Sequence, residues 1–190
     1  MITSSKSQSY RVTLFGTPHP AARPQTQFRI RPVRSAADLE ATVRLFNAYA
    51  SSLEVDLGYQ GFATELANLP GKYAPPAGEL LLACDSYGES LGCVGLRPIK
   101  PDRCCEIKRL YVLPRARGFG LGSALIDAII GEAARIGYME MRLDTLPGMA
   151  DAISLYRKAG FEPIAPYYET PITGTLFLAR SLVVATREKE

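Results

Sequence analysis

The sequence has 190 residues, of which 47% are hydrophobic and 22% charged, and this length and balance are typical of a single soluble globular domain. It lacks a run of about eighteen apolar residues, and Lys6 is not followed by an apolar segment, so neither a membrane span nor a secretory leader is predicted. The net charge is +3, but the first 37 residues hold six basic and no acidic side chains, so the remainder carries about −3. A nucleic-acid-binding domain usually carries positive charge on its folded body, and this distribution therefore disfavours that class.

Composition divides the chain into three predicted parts. Residues 1–26 are rich in Ser, Pro, Thr and Gln, which predicts a flexible basic extension with one short strand at residues 10–15. Residues 27–182 carry regular hydrophobic patterns and are expected to form the folded domain. Residues 183–190 are expected to form a C-terminal tail.

The folded domain opens with a strand and a helix. Residues 28–33 alternate apolar and polar side chains, as a strand with one buried face does. Ser35 and Asp38 have the spacing of a capping box and predict the start of a helix. The predicted apolar face of this helix consists of Leu39, Val43, Phe46 and Ala50.

The remaining elements follow from the same patterns. A short helix carrying Phe62, Leu66 and Leu69 ends at Pro70 and is followed by strands at residues 80–84, 91–96 and 104–112. Next come a helix from about Gly120 to Gly137 and a strand in which Met139, Met141 and Leu143 alternate with polar residues. A helix at residues 152–159 and strands near 161–164 and 174–179 complete the predicted domain. This order of elements predicts a mixed α/β fold.

The cysteines are interpreted as structural. Cys84, Cys93, Cys104 and Cys105 all lie in predicted strands, and none belongs to a C-x-x-C pair. We expect them to be small buried side chains in a reducing cytoplasm rather than a metal or redox site. The single histidine, His19, lies in the N-terminal extension, so catalytic chemistry based on histidine and a metal site are not predicted.

The segment of residues 112–123 carries the strongest functional signal. A predicted strand runs into a turn whose glycines, Gly118, Gly120 and Gly122, open an amphipathic helix. Such a turn lets backbone amides approach a ligand, and a helix start leaves N–H groups free beside the positive end of the helix dipole. The turn is therefore suited to a pyrophosphate, with Arg117 as a nearby cation. It lacks the Lys-Ser/Thr ending of a P-loop and the G-x-G-x-x-G spacing of a dinucleotide site.

Two motifs resemble the GNAT superfamily of N-acetyltransferases. The first reads RxxGxG from Arg117 to Gly122, after LYVxP at residues 110–114, and is similar to the acetyl-CoA signature of that family. The second reads LYRKAGF at residues 155–161 and is similar to the family's later helix ending in Tyr-x-x-x-Gly-Phe. The 34 residues between the last glycine of the first motif and the tyrosine of the second match the usual spacing. The resemblance covers about residues 28–178 and implies a mostly antiparallel central sheet flanked by helices.

The resemblance implies that acetyl-CoA is the co-substrate. Its pyrophosphate would lie on the backbone amides of Gly118, Phe119, Gly120, Leu121, Gly122 and Ser123, with Arg117 at the lip. Its pantetheine arm would align with the main chain of Leu110, Tyr111 and Val112 like an added strand. One position departs from the family, which often has Asn where this chain has Met149, and the cofactor contact of that Asn is therefore not carried over.

Acetylation of an amine requires removal of a proton from its nitrogen and a proton for the departing thiolate. Glu106, on the strand at residues 104–112, is the candidate base, since a buried site can raise the pKa of a carboxyl group and many family members place a glutamate near there. Pairing of Glu106 with Lys108 or Arg103 is the structural alternative. Other carboxylates that are candidates for the base are Glu54, Asp56 and Glu65.

Tyr156 is the candidate general acid for the thiolate, by the family resemblance and because a phenol can donate a proton. The alternative is a core aromatic side chain, because Tyr156 has the spacing of a buried helix face together with Ala152 and Leu155.

The acceptor is expected to contact residues 53–78 and the late loop at residues 166–171. Glu54 and Asp56 are suited to attract a cationic amine, and Tyr167 and Tyr168 to form a stiff aromatic wall, although surface packing explains the tyrosines equally well. The acidic side chains favour a small-molecule amine over a protein tail.

The sequence thus predicts a cytoplasmic N-acetyltransferase that transfers acetyl directly from acetyl-CoA to a primary amine. The alternative is a non-catalytic acetyl-CoA-binding regulatory domain, which Met149 favours and Glu106 and Tyr156 disfavour. A third class is a nucleic-acid-associated module that uses the basic extension. Membrane and metal partners are not expected, and a homodimer is compatible with the sequence.

Overall fold

The computed structural model describes residues 28–183, so the predicted N-terminal extension, the strand predicted within it and nearly all of the predicted tail lie outside the described residues. The strands are β1 (Phe28–Pro32), β2 (Glu79–Asp85), β3 (Ser90–Ile99), β4 (Cys104–Val112), β5 (Glu140–Thr145), β6 (Glu162–Pro163) and β7 (Leu176–Ser181). The helices are α1 (Ala36–Ser51), α2 (Phe62–Ala67), α3 (Leu121–Ile136) and α4 (Ala150–Lys158), with short 3-10 helices at Leu57–Gln60, Gly71–Tyr73 and Pro114–Ala116.

The strands form one seven-stranded sheet in the order β1-β2-β3-β4-β5-β7-β6. Neighbouring strands are antiparallel except for β4 and β5, which run parallel and are connected through α3. The prediction of a mixed, mostly antiparallel sheet flanked by helices is confirmed. The parallel pair lies in the middle of the sheet and determines the position of the candidate site.

The sheet separates two hydrophobic clusters. One is covered by α3 and α4 and contains Leu125, Ile129 and Leu143, none more than 1% exposed. The other lies beneath α1 and contains Phe46. Strand β2 contributes alternate residues to both clusters, which explains its uninterrupted apolar sequence. Each buried aliphatic or aromatic side chain of this kind stabilises the fold by about 1.5–3 kcal/mol, and the clusters therefore fix the strands that carry the site.

The start of α1 is held by the predicted capping box. The side chain of Ser35 accepts a hydrogen bond from the Asp38 amide, and Asp38 accepts one in return from the Ser35 amide. Arg31 on β1 forms a 2.6 Å ion pair with Asp38, and this bond holds the pKa of the Asp38 carboxyl well below its usual range. Arg34, just after β1, likewise pairs with the buried Glu79, so two ion pairs hold the C-terminal end of β1 to the domain.

Three predicted elements differ from the observed ones at their ends. Strand β5 begins at Glu140, so Met139, predicted to lie on its buried face, precedes the strand and is 41% exposed. Helix α2 ends before Leu69, because a residue that precedes a proline is disfavoured in helical conformation. The strand predicted near residues 161–164 is reduced to the two residues of β6.

All four cysteines are buried and unpaired, as the sequence analysis expected. Burial raises the pKa of the Cys93, Cys104 and Cys105 thiols. Within residues 28–183, no group of three or more His, Cys, Asp or Glu side chains is arranged to hold a metal ion. In the same range, no helix is long and apolar enough to cross a membrane.

Candidate active site

Strands β4 and β5 separate soon after they begin. They pair only from Cys104 to Glu106 on β4 and from Glu140 to Arg142 on β5. Beyond that point β4 continues to Val112 beside β3, while β5 continues beside β7. The two strands therefore enclose a wedge-shaped cleft in which the β5-facing edge of β4 has no neighbouring strand among the described residues.

A bulge in β4 shapes this cleft. Lys108 lies opposite Gly95 and Tyr111 opposite Cys93, so β4 has one residue more than β3 in this stretch. Arg109 supplies the bulge, with a φ of 57° that few residues other than glycine adopt. Because of the extra residue, Lys108 and Arg109 are consecutive and yet both contact aromatic side chains on the α1 and α2 side of the sheet.

Arg109 ties the segment that contains α2 to β4. Its guanidinium donates to both carboxylate oxygens of Glu65, at 3.0 and 2.7 Å, and to the side-chain oxygen of Gln60 at 2.9 Å. It also lies over the ring of Phe62 at 5.0 Å. Tyr73 donates a further hydrogen bond to Glu65 at 2.8 Å. The segment that contains α2 is thus fixed over the cleft by one buried arginine.

These contacts change the interpretation of Glu65, which the sequence offered as a candidate base. Burial by itself raises the pKa of Glu65, but the hydrogen bonds and charge of Arg109 outweigh that effect and leave the pKa below its ordinary value. Both oxygens of Glu65 are already occupied. Glu65 is therefore an anchor for Arg109.

Glu106 is 1% exposed and lies at the last paired position before the cleft opens. Its Oε2 accepts from Arg97 Nε at 2.7 Å, and its Oε1 accepts from the hydroxyl of Tyr167 at 2.7 Å. The structural alternative in the sequence analysis, pairing with Lys108 or Arg103, is wrong because the partner is Arg97, directly opposite on β3. Two of the predicted site residues, Glu106 and Tyr167, are in direct contact.

Lys108 and Asp144 form a second buried ion pair at 2.7 Å, with side chains 6% and 8% exposed. Each lies two residues beyond the last paired position of its strand, so the pair spans the opening of the cleft. Burial raises the pKa of Asp144, but the charge and hydrogen bond of Lys108 more than offset this and lower it below the usual value. The ring of Tyr168 lies 6.0 Å from the Lys108 ammonium.

The cleft itself is narrow and enclosed by polar and aromatic side chains. It has a volume of about 30 Å³ and is lined by Tyr49, Gln60, Ile107, Lys108, Arg109, Leu110, Asp144, Thr145, Met149 and Tyr156. Sequence reasoning did not assign Tyr49, Gln60, Arg109 or Asp144 to a site. The only signal for Asp144 was its place among the polar residues of an alternating strand, and such a residue usually faces solvent.

Tyr156 lines this cleft from α4 and is also a core residue. It is 7% exposed, and its ring packs edge to face against Phe161 with 5.8 Å between ring centroids. Burial raises the pKa of its phenol well above the usual value. The interpretation as a core aromatic side chain is therefore confirmed, while the role of Tyr156 as general acid stays a prediction for a residue that lines the cleft.

The glycine turn lies directly beyond the end of β4. Gly118 and Gly120 have φ values of 82° and 80°, which side chains with a Cβ rarely adopt, and α3 begins without a side-chain cap. Ala124 donates to the Gly120 carbonyl, so the amides of residues 121–123 precede the first hydrogen bond of the helix and have no helical acceptor. A cluster of free amides beside a helix start fits the pyrophosphate of a CoA ester.

Other residues of the turn have additional structural roles. Arg117 is exposed at the lip, donates to the Val112 carbonyl at 3.1 Å and lies over the ring of Tyr111. Gly122 permits close packing of α3 on α4, because a Cβ there would come within 3.0 Å of Leu155. The side chain of Leu121 is buried, so only its backbone is available at the turn.

Two predicted substrate residues do not line the cleft. Asp56 is exposed, and its carboxylate caps the 3-10 helix at Leu57–Gln60 by accepting from the Gly58 amide at 2.8 Å. Glu54 is also exposed, and its carboxylate has no hydrogen bond or ion pair within the described residues. The same segment presents Gln60 and Glu65 to Arg109 on β4 instead, and a contact of Glu54 or Asp56 with the acceptor stays a prediction.

Met149 occupies the N-cap position of α4 and makes no side-chain cap to the helix. Its sulfur accepts a long contact from the Thr145 hydroxyl at 3.8 Å. The position at which the family often has Asn is thus part of the cleft wall here, with an apolar side chain in place of an amide.

The fold, the divergent parallel strands and the glycine turn together define an acyltransferase that uses a CoA ester. Residues 42–161 match the model of the Acetyltransferase (GNAT) family, and the chain belongs to this family. It is an N-acetyltransferase, and acetyl-CoA is the co-substrate of the family. The resemblance seen in the sequence is confirmed.

Two curated N-acetyltransferases have sequences similar to this chain over most of its length. An uncharacterized N-acetyltransferase of Schizosaccharomyces pombe is 40% identical over 149 residues, which cover 78% of this chain and 91% of that protein. One from Dictyostelium discoideum is 29% identical, over 67% of this chain and 86% of its own. The names of these relatives give the reaction class and no acceptor.

Solved structures show the same fold. A GNAT-family acetyltransferase of Staphylococcus aureus superposes with a TM-score of 0.69 at 19% identity, covering 83% of this chain and all of its own. A phosphinothricin acetyltransferase of Sinorhizobium meliloti, solved in complex with AcCoA, superposes with a TM-score of 0.64 at 21% identity, covering 85% of this chain and 92% of its own.

Proposed function

We propose that this protein acetylates the primary amine of a small molecule by direct transfer from acetyl-CoA in the cytoplasm. The proposal is supported mainly by one observation: the glycine turn, the unpaired edge of β4 and the cleft at Lys108 and Asp144 follow one another along the same strand. A CoA ester whose pyrophosphate lies on the amides of residues 118–123 would extend its arm along Leu110–Val112 toward that cleft. Four free buried cysteines favour a reducing compartment.

Acetyl-CoA supplies an activated acyl group, and the acceptor nitrogen forms a C–N bond while the C–S bond breaks. The acceptor arrives as an ammonium ion and loses one proton before attack, which passes through the base to solvent. It loses a second proton as the amide forms, and one proton ends on the CoA thiol. The residues lining the cleft include no cysteine, and the Cys93, Cys104 and Cys105 thiols have raised pKa values. Direct transfer therefore fits the cleft better than an acetylated cysteine intermediate.

The proposal is tested by following CoA release with a panel of amines and identifying the product by mass spectrometry. We expect thiol release that depends on an amine and a product heavier by one acetyl group. Acetyl-CoA binding without thiol release for any amine would instead support a binding domain. Acetylation of protein N-termini or lysines alone would contradict the small-molecule acceptor.

Glu106 remains our candidate base, because one of its oxygens is bonded only to the neutral Tyr167 hydroxyl, which an amine or a water can replace, whereas Arg109 binds both oxygens of Glu65. Glu106→Gln tests this role. The variant keeps the shape of the side chain and should lower the rate on the order of 10²–10⁴-fold, most strongly below the pKa of the acceptor amine. Arg97→Met is the matched control, since it breaks the same ion pair and leaves the carboxylate. If both variants lose stability and activity to the same extent, Glu106 is structural.

Tyr156 is proposed to donate a hydrogen bond and then a proton to the departing thiolate. The raised pKa keeps the phenol protonated at neutral pH, so the donor is always present. Tyr156→Phe keeps the ring that packs on Phe161 and removes the hydroxyl. We expect kcat to fall on the order of 10²-fold, with acetyl-CoA affinity and melting temperature near wild type. Acetyl donors with more acidic thiols should be less affected, and an equal loss for all donors would contradict this role.

A further inference from the structure

Lys108 and Asp144 both line the cleft, and within residues 28–183 neither forms an ion pair with a third charged side chain. Arg109 is neutralised by Glu65, and Glu106 is neutralised by Arg97. Lys108 and Asp144 balance each other and both line the cleft. The acceptor therefore meets one cation and one anion side by side, with no excess of negative charge to attract a simple amine.

The ammonium of Lys108 is incompletely bonded. It has three N–H donors, and among residues 28–183 its one hydrogen-bond acceptor is Asp144 Oδ1. A buried ammonium that leaves donors unused pays for desolvation without full compensation, unless a further acceptor joins it. Its remaining donors are suited to an anionic oxygen.

The hydroxyl of Tyr168 points to the same conclusion. It is buried, and it has no hydrogen-bond partner within the described residues. It interacts with the Asp144 carboxylate and helps to lower the pKa of that group, although no hydrogen bond of normal geometry joins the two. The Lys108 ammonium lies 6.0 Å from the centre of the Tyr168 ring. A buried phenol that bonds nothing costs free energy, so a ligand group that accepts from it is a natural partner.

We infer that the acceptor carries a carboxylate beside its primary amine, as a free amino acid does, and that Lys108 and Tyr168 bind the carboxylate. This inference rests on the proposed function and narrows its substrate class. Asp144 attracts the ammonium form as it enters, and the lowered pKa of Asp144 suits this binding role better than that of a base. Tyr49, Leu110 and Tyr156 supply the apolar walls around the polar pair.

The test compares matched acceptors in the CoA-release assay. The standard amino acids are assayed beside their amides and beside the amines that lack the carboxylate. We expect kcat/KM for the preferred amino acid to exceed that of its amide and its amine by about tenfold to a hundredfold, since both lose the charged hydrogen bonds to Lys108.

Substitutions of Tyr168 and Lys108 test whether these two residues cause the preference for acceptors with a carboxylate. Tyr168→Phe removes a hydroxyl that has no hydrogen bond of normal geometry among the described residues, so it should leave the melting temperature at or slightly above that of the wild type and reduce the preference several-fold. Lys108→Met should abolish the preference, and Lys108→Arg should retain most of it. Because Lys108→Met leaves Asp144 buried without its partner, Lys108→Met/Asp144→Asn serves if the single variant unfolds. Tyr87→Phe, at a position 92% exposed on the β2–β3 turn, is the control.

Three outcomes would overturn the inference. If amines without a carboxylate are acetylated as well as amino acids, the proposed function stands and the inference fails. An amino-acid preference that is unchanged in both Tyr168→Phe and the Lys108 variants would show that other residues bind the carboxylate. If acetyl-CoA binds but no member of the panel is acetylated, both the inference and the proposed small-molecule activity fail.

Discussion

The double substitution Arg117→Ala/Gly120→Glu should abolish the rise in melting temperature that acetyl-CoA produces. A ligand at a hundred times its Kd stabilises the native state by about 2.7 kcal/mol, so the wild-type shift is readily measured. Gly120 has a φ of 80°, and a glutamate there adds strain, bulk and negative charge where the pyrophosphate is expected. Loss of Arg117 removes the cation at the lip.

Gly131→Glu is the matched control for this experiment. Gly131 lies in the same helix, is exposed, and a Cβ there meets no atom within 4 Å. Glutamate is a better helix former than glycine, so the control should be slightly more stable and should keep the full acetyl-CoA shift. Gly120→Ala separates strain from charge, because it introduces the same backbone strain without the carboxylate. A full shift in the double variant would mean that the cofactor binds elsewhere.

Local patterns were sufficient to predict most elements of the fold and the glycine turn. The capping box of Ser35 and Asp38 and the glycines of residues 118–122 act through hydrogen bonds and φ angles within a few residues, so the sequence predicts them directly. Their backbone geometry does not depend on the tertiary partner. The predicted ends of β5 and α2 were less accurate, because the first depends on pairing with neighbouring strands and the second on Pro70.

The polar interior of the site could not be predicted in the same way. Arg109 and Glu65 are 44 residues apart and Lys108 and Asp144 are 36 apart, and pairing at such distances requires the strand register. The bulge at Arg109 also reverses the expectation of alternation, since it places two consecutive residues on one side of the sheet. A glycine within a strand pattern would have indicated a bulge, but here the bulged residue is an arginine. For Glu106, sequence proximity suggested Lys108 or Arg103, whereas its partners are Arg97 and Tyr167.

Arg109→Met should destabilise the protein by about 3–5 kcal/mol, because it leaves Glu65 buried without a counter-charge. The side chains of Arg109 and Glu65 are 2% and 11% exposed. Arg115→Met is the control, since it breaks the Arg115–Glu89 pair, whose side chains are 62% and 66% exposed. That surface pair should be worth about 0–1 kcal/mol. Both values are measured by denaturant unfolding.

A double-mutant cycle distinguishes the missing charge from the missing packing. If the cost of Arg109→Met comes from the unpaired carboxylate, Arg109→Met/Glu65→Leu should be more stable than the sum of the two single variants predicts. Because Arg109 fixes the segment that contains α2 over the cleft, the single variant should also raise KM for the acceptor amine while the Kd for acetyl-CoA stays near wild type. Equal effects on both ligands would contradict a role confined to the acceptor side.

The pH dependence of the free energy of unfolding shows independently whether Arg109→Met acts through the charge of Glu65. In the wild type, Arg109 holds the pKa of Glu65 below its ordinary value against the opposing effect of burial. The stabilisation from this pair is therefore present above the unfolded pKa of about 4.3 and is lost as the pH falls through the lower folded value. In Arg109→Met, burial is opposed only by the Tyr73 hydrogen bond and the charge of Arg97, so we expect the pKa of Glu65 to rise and the variant to lose stability as the pH rises past about 4.3. The difference between the two proteins should be small where Glu65 is protonated in both, below its lowered folded pKa, and should grow from there toward pH 7. A difference independent of pH would assign the loss to packing of the guanidinium on Phe62.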